Sequence, residues 1–507
     1  MSSSSNTGAW GGGYVTDVTY MPGYYRQQSP AHMAVACLLG GVACAVPGPD
    51  TPIHYLELGC GQGYGALLLA ASNPDWRVTA VDFNPAHIAN GRAWAAEAGL
   101  GNITFIEADF ATIAETAAGQ AIPMADFVSL HGVWSWVPPA ARRGIVRLLD
   151  CKLTPGGVLH ISFNALPGWS GALAMQRLLR EGGRRLSWRS DRQAEQGLAL
   201  VRELSEAGAQ HLRTPLVSGI LSRAQAMSPE YLAHEYMNDF WEPCWHADVV
   251  AALAGAKLEW VASAVLTENF PDLALTDTQR AIYQRFDDPL MRELVKDACL
   301  ARQLRHDVFV RGARRIDPST RDRALMDLRL TAGIPPGEMP LEVDMPAGHA
   351  SLSPAFYGPI MRAISTGPHR VGDLLELPDV QGRRDNPAEL VGILVGLGYA
   401  LPVQRPDAET HPTARRFNRF SARAIMRPEH VARAAAAAST MVGAGVPLST
   451  LELFVLDRLD RGEGEGDLEA WMRDLGPANE ESAVRLREAL TKILRDRISI
   501  LRAAGAA

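Results

Sequence analysis

The chain has 507 residues, of which 47% are hydrophobic and 21% charged, and a formal net charge of -7. That length exceeds what a single hydrophobic core serves, so roughly two to four domains are expected, and the composition excludes a mainly disordered chain. No stretch approaches the roughly 18 uncharged apolar residues of a membrane helix, and a pI near 6.0 weighs against a broad surface for duplex nucleic acid.

The start, Met1 to Gly13, is rich in Ser, Gly and Asn and lacks the basic-then-apolar order of a signal peptide, so a cytoplasmic protein with a loose N-terminus is expected. The six cysteines are scattered without a C-x-x-C, which fits a reduced compartment and points to neither a disulfide framework nor a zinc site. From Ile53 onward strand-like and helix-like segments alternate. A strand runs to about Leu58, then a glycine-rich turn, then a helix from about Tyr64. RVTAVD (77–82) is a second strand, followed by a helix opened by Pro85; NITFIEADF and ADFVSLHG give strands three and four; Pro138 to Leu153 is a helix and GGVLHISF (156–163) a fifth strand. Such alternation with short links predicts a parallel sheet covered on both faces, a doubly wound α/β fold of Rossmann-like type. Ligands of such sheets sit at the carboxyl ends of the strands.

The first turn reads Glu57-Leu58-Gly59-Cys60-Gly61-Gln62-Gly63. Gly59, Gly61 and Gly63 let a ligand approach the backbone and permit positive φ. Asp82 ends the second strand and Asp109 follows the third. The first carboxylate suits two ribose hydroxyls and the second an adenine amino group. NAD and S-adenosylmethionine (SAM) both carry an adenosine. A shifted reading, Gly61-Gln62-Gly63-Tyr64-Gly65-Ala66, satisfies the dinucleotide pattern, but Glu57 just before the turn would repel a pyrophosphate and would attract a sulfonium or an ammonium.

ELGCGQG, AVDFNP, EADF and LTPGGVLHIS resemble the successive motifs of class I SAM-dependent methyltransferases. HGVWSWVP (131–138), FNALPGW (163–169), AHEYMNDFWEPCWHADV (233–249) and RHDVFVRG (305–312) are similar to bacterial members carrying a methyltransferase regulatory domain, a group that includes lysine methyltransferases acting on outer-membrane proteins. The resemblance runs from about Tyr14 to Gly312. It implies a SAM cofactor held by Glu57, Gly59, Gly61, Gly63, Asp82, Phe83, Asp109, Phe110 and His131. The segment GYVTDVTYMPGYYRQQSP (13–30) lacks the Tyr-Pro-Phe run of the lysine enzymes, which leaves the substrate less defined than the reaction.

The expected organisation is an aromatic N-terminal segment (1–30), a SAM-binding domain (31–169 and 255–320), a helical insertion (170–254), a winged-helix-like module (321–410) and a helical C-terminal region (411–507). KLEWVASAV (257–265) and HDVFVRGARR (306–315) are the candidates for the last two strands. The insertion would emerge beside the cleft as a lid or a homodimer contact. Helices are expected at Val431 to Ala438 and Asn479 to Ala503. The arginine-rich run Arg302 to Arg329 reads as a solvated face, with an anionic partner site as the lesser alternative, and nucleic acid is not expected as a partner of the winged-helix-like module.

Methyl transfer from a sulfonium is an in-line displacement needing alignment and exclusion of water, not metal. His131 at the end of strand four could accept a proton, Asn164 past strand five could orient the acceptor, and Tyr20 and Trp134 are the aromatic contacts expected, with Trp136 packing under Pro138. His234 and Glu235 would need a second histidine where Asn238 stands, so no metal is expected. The expected function is methylation of a protein side-chain nitrogen, lysine in the first place. A sugar or other small molecule is the alternative acceptor, and a catalytically inactive SAM-binding regulatory protein a third reading.

Overall fold

The computed structural model describes residues 11–18, 21–48, 51–382, 384–425 and 434–507. Its centre is a seven-stranded sheet of order β3-β2-β1-β4-β5-β7-β6. The strands are β1 (His54–Leu58), β2 (Arg77–Asp82), β3 (Ile103–Glu107), β4 (Ala125–Leu130), β5 (Leu153–Asn164), β6 (Leu258–Ser263) and β7 (Leu304–Arg311). The first five run parallel, and β7 is antiparallel to both β5 and β6. Strand order reverses between β1 and β4, so their carboxyl ends open a crevice there. β1 is buried along its whole length, as a strand covered on both faces must be.

Helices Leu173–Leu186, Ser190–Glu206, Pro215–Arg223, Pro229–Tyr236 and His246–Leu253 fill the span between β5 and β6. The first four pack around a core of their own that takes in Val15, Val18 and Trp169. After β7 come a helix (Pro318–Asp327) and a three-stranded antiparallel sheet in which β8 (Arg329–Ala332) lies between β11 (His369–Arg370) and β12 (Ala400–Val403). A hairpin of β9 (Glu342–Met345) and β10 (Gly348–Ser351) interrupts it, and helices Pro354–Ile364, Val371–Leu375 and Pro387–Gly396 complete the module. Among the described residues no helix is long and apolar enough to cross a membrane.

Two expectations are corrected. Ala435–Ser439 is not helix but β13, paired with β14 (Ala444–Leu448), while Val431 to Arg433 lie outside the described residues. This hairpin is wedged against helix Tyr64–Ser72 and helix Pro412–Ile425, where only small side chains allow so close an approach. Tertiary packing there outweighs the helix preference of alanine. The arginine run is not uniformly solvated either. Arg302 and Arg305 are buried, and Arg305 is bonded to Asp307, Asp297 and Glu293. The segment Glu480–Lys492 to Ile498–Ala503 is helical, passing through a π-helical turn at Ile493–Arg497.

Candidate active site

The turn after β1 is shaped by three glycines in the left-handed region, Gly59, Gly61 and Gly63. A methyl group on Gly59 would overlap Val133 Cγ2 and one on Gly63 the ring of Phe105, so both positions are closed to larger residues. The turn is held from β2. Val81 O accepts from Gly59 N and Cys60 N, and Asp82 Oδ2 accepts from Gly61 N at 2.8 Å. Asp82 Oδ1 accepts from Asn84 N at 2.9 Å and lies 3.3 Å from His87 Nδ1, which leaves acceptor capacity on Oδ2 of a buried carboxylate at the crevice mouth.

Around this turn lies a cleft of about 380 Å³ lined by Glu57, Gly59, Gly61, Gly63, Asp82, Phe83, Asp109, Phe110 and His131. The cofactor residues expected from the sequence are thus brought together. Asp109 is exposed, with Oδ1 on Ala111 N; Phe110 is buried, and Phe83 stands edge-on to Tyr14. Glu57 is buried, with Oε1 taking a hydrogen bond from Gln28 Nε2 at 3.1 Å and Oε2 without a partner. Burial pushes its carboxyl up to about 7, against a smaller lowering by the Gln28 hydrogen bond. A buried carboxylate oxygen with an open valence in a glycine-walled cleft fits a cationic, adenosine-bearing ligand.

A second cavity of about 350 Å³ continues from the first, sharing Tyr14, Tyr25, His131, Gly132 and Trp136 with it. Asn164, Trp169, Tyr231 and Glu235 form the rest of the wall relevant to binding. Trp136 Nε1, Asn164 Nδ2 and Trp169 Nε1 are buried donors without a partner among the described residues. Tyr14 connects the cavities electrostatically. Desolvation raises its pKa, and the Asp82 and Glu235 carboxylates add to the rise.

The two tryptophans exchange their expected places. Trp134 opens the 3-10 turn Trp134–Trp136, yet its ring is buried in the core with Ile145 and Leu149 and the Arg142 guanidinium 5.5 Å from its centroid. Half-buried Trp136 lines both cavities instead. Tyr20 lies outside the described residues. His131 Nδ1 is 3.0 Å from Ser162 Oγ, and its ring lies 4.2 Å from that of Tyr25. The sequence reading missed Gln28, His160 and His306, and weighed Glu235 only as a metal ligand. His160 left one trace, a polar residue inside the apolar run of the fifth strand. Gln28 and His306 reach the site from separate parts of the chain, which no spacing reveals.

Residues 56–157 match the model of a methyltransferase domain, and residues 228–311 that of a predicted methyltransferase regulatory domain. An uncharacterized protein of Synechocystis is 32% identical over 449 residues, covering 88% of this chain and 87% of its own. The chain belongs to the SAM-dependent methyltransferases with a methyltransferase regulatory domain. Carboxy-S-adenosyl-L-methionine synthase of Geobacter metallireducens is 28% identical over 35% of this methyltransferase and 71% of its own length. The fold as a whole matches PKMT2 of Rickettsia typhi in complex with AdoHcy, with a TM-score of 0.68 at 16% identity over 96% of this chain and 99% of that one. SAM supplies the electrophilic methyl group. Glu57, the glycine turn and Asp82 are the residues that would hold it.

Proposed function

We propose that the acceptor is a protein side-chain nitrogen, the ε-amine of lysine. The observation that carries this reading is the second cavity: it opens from the donor cleft, is walled by Tyr14, Tyr25, Trp136, Trp169 and Tyr231, and holds the Glu235 carboxylate. Aromatic faces and a carboxylate suit an alkylammonium before transfer and a methylated ammonium after it. PKMT2 of Rickettsia typhi, solved in complex with AdoHcy, shares the fold and agrees with a methyl-transfer reading.

An ammonium has no lone pair, and its unperturbed pKa is about 10.4, so the acceptor must shed a proton before attack. Desolvation between the aromatic walls favours the neutral amine. Burial holds His306 at about 4 against the opposing pull of Asp307, so this imidazole stays uncharged at neutral pH and adds no repulsion of its own. Helix Pro229–Tyr236 of the insertion supplies Tyr231 and Glu235, which gives the insertion the place of an outer wall to the acceptor site. A small-molecule acceptor is the second reading, favoured by the unpartnered donors Trp136 Nε1, Asn164 Nδ2 and Trp169 Nε1, which suit carbonyl or hydroxyl oxygens.

Incubating the enzyme and methyl-labelled SAM with a cell lysate and, separately, with a small-molecule extract decides between them. Label in protein, with a methyl mass shift on lysine, is expected. Label confined to the small-molecule fraction rejects the protein acceptor. Glu235→Gln should raise the KM for a lysine peptide roughly tenfold while SAM affinity stays, since a contact to a charged group is worth about 1.5–3 kcal/mol.

A further inference from the structure

Transfer to an amine calls for one imidazole at most at the acceptor site, yet a cluster of three converges at its edge, two on the cavity wall and one behind them. His131 follows β4, His160 lies within β5 and His306 within β7, and the strand register sets Ser129 opposite His160 and Ser162 opposite His306. One ring nitrogen of each lies within 4.8 Å of the others. The ring centroids are 5.4 Å apart for His131 and His306, 5.4 Å for His160 and His306 and 6.0 Å for His131 and His160, with planes within 20° of one another. Those separations are too wide for face-to-face stacking. His160 Nε2 instead meets His306 Nδ1 edge to edge at 3.2 Å. Imidazoles that share one ion at a metal–nitrogen distance of about 2.1 Å have centroids roughly 5 to 5.6 Å apart, close to what the three rings already show.

The outer nitrogens are held as they are in ligating histidines, whose second ring nitrogen is tied to a neighbour that fixes the ring. His131 Nδ1 lies 3.0 Å from Ser162 Oγ, and His160 Nδ1 3.2 Å from Ser129 Oγ, which in turn receives Gln28 Nε2 at 3.0 Å. Ser162 Oγ also accepts from Gly132 N at 2.9 Å. Among the described residues no carboxylate is grouped with these nitrogens: Asp307, the nearest in sequence, is bonded to His246 and Arg305.

We propose that His131, His160 and His306 form a binding site for a divalent transition-metal ion of the class that favours imidazole nitrogen, such as zinc or cobalt. His131 and His306 line the acceptor cavity and His160 lies buried behind them, so the open coordination positions face that cavity. Three histidines leave room for an oxygen, nitrogen or sulfur from an acceptor. A coordinated hydroxyl or thiol would lose its proton more readily, whereas a coordinated amine would have its lone pair engaged, so loading the site turns the enzyme away from amines. Ion binding itself does not depend on which acceptor the cavity takes.

The test uses the full chain, stripped with a chelator and titrated with Co2+ and then Zn2+, read by the visible spectrum of the cobalt form and by equilibrium dialysis with metal analysis. A single ion per chain is expected, with Zn2+ displacing Co2+ and bleaching the spectrum. Since His160 is fully buried, the ligands are tested at half-buried His131 and His306. His131→Gln and His306→Gln should each lower metal affinity at least about tenfold, whereas His234→Gln, in the same cavity but outside the cluster, should keep it. Thermal melting checks that each variant is folded, and Ser129→Ala, which loosens His160 from behind, gives a second handle. No binding by the wild type, binding that survives His306→Gln, or binding lost equally in His234→Gln overturns the proposal.

Discussion

Trp134 and Trp136 share one short turn, yet one is a core residue and the other a cavity wall. Trp134→Ala should therefore cost about 3–5 kcal/mol of stability in a denaturant titration, whereas Trp136→Ala should leave the melting transition near its original position and lower turnover strongly. Sequence reading placed this stretch at the catalytic rim but divided the pair the wrong way round, because the strand's alternation ends at Leu130 and the turn that follows obeys no two-residue period. Glu57 carries a second prediction. Its carboxyl is raised to about 7 by burial, so it is anionic only above that pH, and SAM should bind more tightly as pH rises from 6 to 8. Calorimetric titration would show the slope, and Glu57→Gln should flatten it. The linked effect on stability has the opposite sign. Between its ordinary pKa and 7 the folded state holds the extra proton, so this group's contribution to the ligand-free fold falls as pH rises.

At the scale of elements, the glycine turn is locked between its neighbours. Gly59→Ala should abolish SAM binding through the clash with Val133, and pairing it with Val133→Ala should restore part of the affinity, leaving the positive φ as the remaining cost. The parallel strands β1 to β5 were legible because each is an apolar run closed by a turn signal. The order of the last two, with β7 inserted between β5 and β6, follows from pairing across a long insertion and leaves no local mark. Ala435–Ser439 was misread for the converse reason: its composition says helix, and only the close approach of helix Tyr64–Ser72 demands a strand of small residues. Arg305 is a further case, an exposed type by composition but here the shared partner of three buried acids. Arg305→Met should destabilise the fold by about 3–5 kcal/mol, since it leaves buried carboxylates uncompensated, measurable by chemical unfolding.

Over the whole molecule, the far end of the chain is built into the donor cleft. Helix Tyr64–Ser72, which leads out of the glycine turn, rests on the β13–β14 hairpin. Tyr64 Oη donates to Ala436 O at 3.1 Å, Ser72 Oγ to Ala444 O at 3.2 Å and Asn73 Nδ2 to Gly443 O at 2.8 Å. The segment entering the cleft from the N-terminal side is fastened to the same region. Tyr24 N donates to Ala434 O, Arg26 Nη2 to Gly396 O and, two residues on, Gln28 reaches Glu57. A side chain at Gly445 would begin 2.7 Å from the Tyr24 ring. Gly445→Val should therefore weaken SAM binding without touching the cleft, and an isothermal titration would show it. The segment that braces Glu57 thus comes from the first thirty positions, and anchors of that segment from beyond position 390. During synthesis the ribosome must deliver Ala434 to Leu448 before Tyr24 and helix Tyr64–Ser72 gain these fastenings, so the donor cleft of a nascent chain is fully braced only when synthesis is nearly finished.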